Sequence, residues 1–154
     1  MRAPETVAKL VLYEHPIENW VTRDVVQRLE RFAQRDDWEG LVEAFMRHLE
    51  VPQQQIEEIK TTPFWSVWIV DAPATLNDLR ALVALRFNAE EYRFLTMPVA
   101  LMIGSESPRR NYVTDALAAA LPNAEILTLE GTAHEGMTMV PEQFVEKVSN
   151  FLLG

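Results

Sequence analysis

The side chain best placed for chemistry is a histidine in a loop that is flanked by glycines. His134 lies between Gly131 and Gly136, just after an alternating apolar segment at 124–129. Glycine adopts backbone conformations that other residues avoid, so this spacing favours a bent loop that presents the imidazole. An imidazole exchanges its proton near neutral pH, which makes His134 a candidate general base. A loop histidine that bonds only to nearby backbone is the alternative interpretation.

Composition excludes several other kinds of chemistry. The chain has no cysteine, which removes thiol nucleophiles, thiolate metal sites and disulfides. The three histidines, His15, His48 and His134, are too scattered along the sequence to indicate a metal site. We therefore expect neither a metal nor a cofactor.

The elements that must position His134 alternate between strands and helices. Apolar runs predict strands at 7–13, 97–104 and 124–129, and helical periodicity predicts helices at 111–121 and 141–153. Between the first two strands, residues 18–93 carry only helical patterns. Strands separated by helices form parallel sheets, so the sequence predicts the α/β class with a short sheet of about three strands.

The helical region divides into five predicted helices. Thr22 is suited to cap the first, and Pro63 is suited to begin the fourth. Thr75 followed by Asp78 has the spacing of a capping box and predicts a separate fifth helix.

Ligands of open parallel sheets bind beyond the carboxyl ends of the strands. Three loops are predicted to lie there, at 14–16, 104–108 and 130–137, and the last of them contains His134. These loops are therefore where we expect a functional site.

Segments distributed over nearly the whole chain resemble the α/β-hydrolase family. They are 7–16, 63–65, MPVALMIGSESP at 97–108, LPNA at 121–124, GTAHEGM at 131–137 and PEQF at 141–144. The resemblance implies the later part of that fold, with the sixth strand, a helical cap inserted after it, and the seventh and eighth strands. On this basis we expect an incomplete three-layer core formed by 1–17 and 94–154, with a helical cap over 18–93.

The resemblance also implies roles for two residues. His134 matches the histidine of the catalytic triad, and an acid belongs in the loop after the strand at 97–104. The family more often has an aspartate where this chain has Ser107, so we assign the acid to the neighbouring Glu106. A solvated loop carboxylate is the alternative for Glu106, and Asp115 is less suitable because it falls inside a predicted helix.

The nucleophile of such a triad is not evident in the sequence. In this fold a serine on a Gly-x-Ser-x-Gly turn precedes the acid and the histidine, and no such motif occurs here. The four serines are Ser66, Ser105, Ser107 and Ser149, and none precedes the first strand. We therefore expect no triad hydrolysis by this chain alone, and ester-type hydrolysis only with an upstream half supplied in trans.

A non-catalytic role is the alternative to a split hydrolase. The chain would then be a small-molecule-binding or homodimeric assembly module. Aromatic side chains of the helical region, Trp38, Trp65 and Trp68, could line a pocket for a small apolar ligand, although the same spacing is typical of an ordinary core.

Charge and strand exposure indicate which partners to expect. The net charge is −9, with no basic stripe, which argues against nucleic acid and anionic membranes. No apolar stretch approaches the ~20 residues that span a bilayer, and the first residues lack a targeting pattern, so we expect a cytoplasmic protein. The strand from Val7 to Tyr13 would leave one edge unpaired, which predicts a homodimer or an obligate partner.

Overall fold

The computed structural model describes residues 4–154, which divide into two units along the chain. A helical unit covers Glu18–Arg86, and a sheet unit combines the described residues up to Ile17 with Phe87–Gly154. Residues 1–3, which the sequence assigned to the core region 1–17, lie outside the described residues. Among the described residues, no helix is long and apolar enough to cross a membrane.

The sheet unit is built on three parallel strands. They are β1 (Leu10–Tyr13), β2 (Val99–Gly104) and β3 (Ala124–Leu129), in the order β1-β2-β3. Leu10 pairs with Val99, and Val99 pairs with Ala124, so β2 is the central strand. All six residues of β2 are buried, as expected for an uninterrupted apolar strand with neighbours on both sides. The predicted α/β class with a short parallel sheet is confirmed.

Helices cover both faces of this sheet. On one face, α5 (Thr114–Ala120) buries Leu117 in a cluster with Val99 and Leu101 of β2. On the other face, Phe144 of α7 (Pro141–Leu153) meets the ring of Tyr13 edge-on at a centroid distance of 5.7 Å. A short helix, α6 (Gly136–Met139), precedes α7. The sheet unit thus has the three layers expected of the core.

The helical unit consists of four helices. They are α1 (Arg23–Ala33), α2 (Trp38–His48), α3 (Gln53–Lys60) and α4 (Pro63–Leu82). The side chain of Thr22 accepts a hydrogen bond from the Val25 amide, and Asp37 accepts one from the Gly40 amide, so both side chains cap helix starts. Trp65, 7% exposed, packs in the interior of this unit, where its indole N–H donates to Glu39 at 3.0 Å.

The prediction of a separate fifth helix is wrong. α4 runs unbroken from Pro63 to Leu82 with Pro73 inside it, and the Thr75 hydroxyl bonds back to the Asp71 carbonyl. A proline inside a helix removes one backbone hydrogen bond, but Ala72 and Leu76 on either side of Pro73 are buried on one continuous face. Burial of that face outweighs the local break signal.

Along the chain, the helical unit ends at Arg86, inside the region 18–93 that is predicted to form a cap. The sheet unit resumes at Phe87, because Phe87 and Tyr92 stack at 5.7 Å and pack against the cluster around Val99. A short 3-10 turn, Ala89–Tyr92, therefore lies with the sheet rather than with the helices.

Candidate functional site

A buried glutamate lies at the carboxyl end of β1. Glu14 is the residue after Tyr13, and only 3% of it is exposed. Its carboxylate accepts a hydrogen bond from the Gly104 amide at 2.8 Å through Oε1 and lies 2.6 Å from the His134 Nδ1 through Oε2. A charge with so little contact with water needs such partners to remain ionised.

The backbone turns sharply at Glu14. Its φ is +45°, in the left-handed region that residues other than glycine seldom adopt. The chain before it still belongs to the sheet, because the Glu14 amide donates to the Met102 carbonyl at 3.1 Å. The chain after it forms an antiparallel bridge between Pro16 and Tyr112. Contacts on both sides thus hold the strained residue and aim its side chain at the end of β2.

The loop after β3 brings His134 to this carboxylate. Gly131 has φ +71°, and its amide donates to the Ser105 hydroxyl at 2.9 Å. The Glu106 amide donates to the Thr132 carbonyl at 3.0 Å, so two bonds join the loops after β2 and β3. A side chain at Gly104 would collide with the Thr132 carbonyl, which explains why glycine ends β2.

The imidazole of His134 lies near two tyrosine rings. The Tyr13 ring is nearly parallel to it, at 11° and a centroid distance of 5.9 Å, and the Tyr112 ring lies at 5° and 6.1 Å. The Tyr13 hydroxyl donates to the His134 carbonyl at 2.6 Å and accepts from the Gly136 amide at 3.1 Å. The ring orientation and the loop backbone are therefore both constrained.

Hydrogen bonds set the protonation of the Glu14–His134 pair. Burial raises the pKa of Glu14, but hydrogen bonds led by that from His134 outweigh it and hold the pKa below its ordinary value. Burial lowers the pKa of His134, but the bond to Glu14 and the nearby Glu135 charge raise it above its ordinary value overall. Burial also raises the pKa of Glu135.

This pairing leaves one nitrogen of His134 available for chemistry. Because an ionised carboxylate only accepts hydrogen bonds, the neutral ring carries its proton on Nδ1. Within residues 4–154, the side-chain partners of the ring are Glu14 and the Tyr112 hydroxyl, both at Nδ1. The histidine side chain is 29% exposed, so Nε2 can act as a proton acceptor toward an outside group.

The predicted site residues lie in different surroundings. His134 lies in the candidate site, whereas Glu106 is exposed in the loop after β2. Ser107 is buried, with 6% of it exposed. Asp115, on α5, forms an ion pair with Arg109, which lies before that helix. Sequence reasoning missed Glu14 as a partner of His134. The available signal was a carboxylate directly after an apolar strand, at the sheet edge where ligands bind.

Other ligand types find less support in the part of the chain described here. That part contains no group of three or more His, Asp or Glu side chains placed to hold a metal ion. The arrangement at the carboxyl ends of β1 and β3 consists of one carboxylate and one imidazole in contact. It resembles in its chemistry the carboxylate–imidazole half of a catalytic triad.

Solved structures with the same chain path are hydrolases. A structure described as an α/β-hydrolase from Sphaerobacter thermophilus superposes with a TM-score of 0.71 at 21% identity, covering 95% of this chain and 58% of that one. The chain has the α/β-hydrolase fold. An enol-lactonase from Burkholderia xenovorans matches with a TM-score of 0.72 at 14% identity, covering 99% of this chain and 59% of its own. A thermophilic esterase matches with a TM-score of 0.70 at 20% identity, over 98% and 58% of the two chains.

These matches cover only part of each solved structure. The chain spans 58–59% of the length of these three structures. By sequence, no family model and no curated protein matches the chain. The relationship therefore shows the fold and leaves the activity to be argued from the site.

Proposed function

We propose that this chain supplies the acid–base pair of a serine-type hydrolase of ester-like substrates, and that the nucleophile comes from a segment outside residues 1–154. The chain alone then has no triad hydrolysis. The observation that carries this proposal is the 2.6 Å contact between the buried Glu14 carboxylate and the His134 Nδ1. The pair lies at the carboxyl edge of a parallel sheet, where open α/β sheets bind their ligands.

The pair would act as a relay for one proton. Nε2 of His134 takes the proton of an attacking serine hydroxyl, and the serine oxygen forms a bond to the substrate carbonyl carbon. Glu14 stabilises the imidazolium that results, because the carboxylate is ionised and 0% of its side chain is exposed. The same proton then passes to the leaving oxygen as its bond to carbon breaks. Water hydrolyses the acyl-serine in a second step that uses His134 again.

We assign the acid to Glu14 rather than to Glu106. An acid in this role must orient the imidazole through Nδ1 and remain charged in a dry environment. Glu14 is buried and bonded to Nδ1, whereas Glu106 is exposed and contributes its backbone amide to the neighbouring loop. Glu106 therefore serves as a control in the experiment below.

We propose that the nucleophile approaches from the side of β1. Among the described residues, β1 pairs with β2 alone, which leaves its other edge open to a further strand. We propose that this edge receives a polypeptide with upstream strands that carries the nucleophile. In a non-catalytic module, a second copy of the chain would pair there instead. Unpaired backbone groups on an edge strand favour such pairing.

Small-molecule binding is a second candidate function. A cavity of about 360 Å³ lies beside β1, with the side chains of Leu10, Leu12, Phe87, Phe94 and Leu117 among its walls. This volume and apolar lining are typical of sites for small ligands. A module that only binds such a ligand would gain no hydrolytic activity from a partner, so the following experiment separates the two functions.

The test is an activated-ester assay with and without an upstream segment. The chain alone should hydrolyse 4-nitrophenyl acetate no faster than its Ala variant at His134. Coexpression with an upstream polypeptide that carries a Gly-x-Ser-x-Gly turn should give turnover, because the nucleophile and oxyanion donors carry most of the rate. His134→Ala should then lower kcat at least ~10³-fold.

Matched variants identify the acid. Glu14→Gln should reduce the turnover of the assembled enzyme by about 10²-fold or more, because the imidazolium loses its buried counter-charge. Glu106→Gln should leave it within about twofold of the unsubstituted enzyme. His134-dependent turnover by the chain alone would contradict the proposal.

A further inference from the structure

Two tyrosine rings are aligned with the imidazole of His134. The chain has three tyrosines, and two of them, Tyr13 and Tyr112, lie nearly parallel to this imidazole. Tyr112 is 5% exposed, although its hydroxyl is polar and must find partners inside the protein. Two aligned rings near one imidazole indicate a role in the orientation of that imidazole.

The two hydroxyls act on different parts of the site. The Tyr112 hydroxyl lies 3.5 Å from the His134 Nδ1, and it also interacts with the Glu14 carboxylate. The Tyr13 hydroxyl instead bridges backbone groups, since it donates to the His134 carbonyl and accepts from the Gly136 amide. Tyr112 thus contacts the acid–base pair itself, and Tyr13 contacts the loop that carries it.

Both rings are held by elements that also hold Glu14. Tyr13 is the last residue of β1 and directly precedes Glu14. Tyr112 forms the antiparallel bridge with Pro16, and the adjacent Val113 amide donates to the His15 carbonyl at 3.0 Å. A change in the position of Glu14 would therefore move the two tyrosine rings as well, so the carboxylate and the rings keep the same relative positions.

We propose that Tyr13 and Tyr112 are positioning residues that hold the imidazole of His134 in the one orientation in which Nδ1 meets Glu14 and Nε2 faces away from it. We name these two side chains the tyrosine clamp. The inference rests on the proposed acid–base role of the pair. The Tyr112 side chain, with its hydroxyl beside Nδ1, and the Tyr13 hydroxyl on the His134 carbonyl restrain the ring and its loop, which fixes the tautomer before a substrate arrives.

Histidine NMR on the full chain tests the clamp without any substrate or partner. In the unsubstituted protein, the neutral His134 should carry its proton on Nδ1. Tyr112→Leu should shift the neutral ring toward the Nε2–H tautomer, and should lower the proton affinity of His134 about threefold by weakening its bond to Glu14. Tyr92→Leu is the matched control, because it removes the third tyrosine from the same unit and should leave the His134 signals unchanged.

A milder pair of variants keeps the proposal testable if Tyr112→Leu does not fold. Tyr13→Phe keeps the ring but removes the acceptor of the Gly136 amide, so hydrogen exchange at Gly136 should accelerate several-fold. Tyr112→Phe also keeps its ring and should retain the Nδ1–H tautomer. The inference is overturned if Tyr112→Leu folds with an unchanged His134 tautomer and titration, or if Tyr13→Phe leaves Gly136 exchange as it was.

The outcome is independent of the hydrolysis proposal. If no upstream segment confers turnover but the tautomer responds as expected, the clamp stands and the proposed function fails. If turnover appears but the tyrosine variants leave the His134 tautomer, its titration and Gly136 exchange unchanged, the proposed function stands and the clamp fails.

Discussion

The charge state of the site depends on one residue, Glu14, whose carboxylate has no exposed surface. Buried carboxylates remain ionised only when hydrogen bonds and opposite charge offset the loss of water. Here the Gly104 amide and His134 supply that compensation. Removing the carboxylate charge is therefore expected to change the protonation of His134.

Glu14→Gln should lower the pKa of His134. In the unsubstituted protein, burial lowers this pKa, but the bond to Glu14 and the Glu135 charge raise it by more. Without Glu14 the burial remains and only Glu135 opposes it, so we expect the imidazole to lose its proton at a lower pH. A titration of the His134 ring by NMR measures this directly. An unchanged titration would mean that the pair does not form in solution.

The same pair sets a pH window of stability for the sheet unit. The depressed pKa of Glu14 contributes stability that is present above its unfolded-state pKa and is lost as pH falls through its folded-state pKa. The raised pKa of His134 contributes stability that is present below its unfolded-state pKa and is lost as pH rises through its folded-state pKa. The pair therefore stabilises the sheet unit most at pH values above the unfolded-state pKa of Glu14 and below the unfolded-state pKa of His134.

Sequence reasoning reaches His134 but not its partner. The glycines at 131 and 136 indicate a bent loop within a short stretch of sequence, and the structure gives Gly131 a positive φ. Glu14 lies 120 residues away from His134, and its own positive φ occurs at a residue type that carries no such signal. A partner that tertiary contact brings close from a distant part of the chain cannot be predicted from the spacing of residues in the sequence.

At the scale of elements, the same division holds. The cap at Thr22 and the start of α7 at Pro141 follow local rules, and the structure has them where those rules place them. The continuity of α4 through Pro73 does not, because it depends on burial of the face that contains Ala72 and Leu76. Local signals predict where an isolated helix should end, whereas packing decides whether it does.

His48 should make the helical unit less stable in acid. Its ring lies 4.8 Å from that of Trp20, and its Nε2 is buried without a hydrogen-bond partner among the described residues. Burial lowers the pKa of His48, and the Arg28 charge lowers it further. Stability is then complete above the ordinary histidine pKa and falls as pH drops below ~6.5, by about 1 kcal/mol or less for a half-buried ring.

Fluorescence can isolate this effect. All four tryptophans lie in the helical unit, so urea unfolding followed by their emission reports on that unit alone; they are Trp20, Trp38, Trp65 and Trp68. His48→Gln should reduce the difference in free energy of unfolding between about pH 7.5 and pH 5.5. His15→Gln, in the sheet unit, should leave the difference intact. Equal acid sensitivity of both variants would assign the effect to other groups.

At the scale of the whole molecule, we propose that the open edge of β1 is where the chain associates. The amides of Leu10 and Glu14 donate toward β2, to Pro98 and Met102. Since amides alternate in direction along a strand, those of Val11 and Tyr13 point to the open edge. A substitution at Val11 can therefore block the edge without removing a bond to β2.

Val11→Pro should abolish association through β1. Proline has no amide hydrogen, so an incoming strand loses a ladder bond, and we expect the affinity to fall at least about tenfold. Sedimentation equilibrium of the chain alone tests the homodimer, and the same variant in the coexpression assay tests the partner. Val11→Thr keeps the amide and should associate normally. A protein that sediments as a monomer at every concentration, and that binds no upstream segment through this edge, would contradict the prediction.

The helical unit is inserted between β1 and β2, and this order has a consequence for synthesis of the protein. A ribosome must add residues 14–98 before β2 begins, which takes on the order of ten seconds at typical elongation rates. During that interval β1 cannot pair with β2, while the helices that follow it can already fold. Glu14 meets His134 later still, because His134 is made only in the last fifth of translation. A chaperone or a cotranslational partner can bind β1 in the meantime.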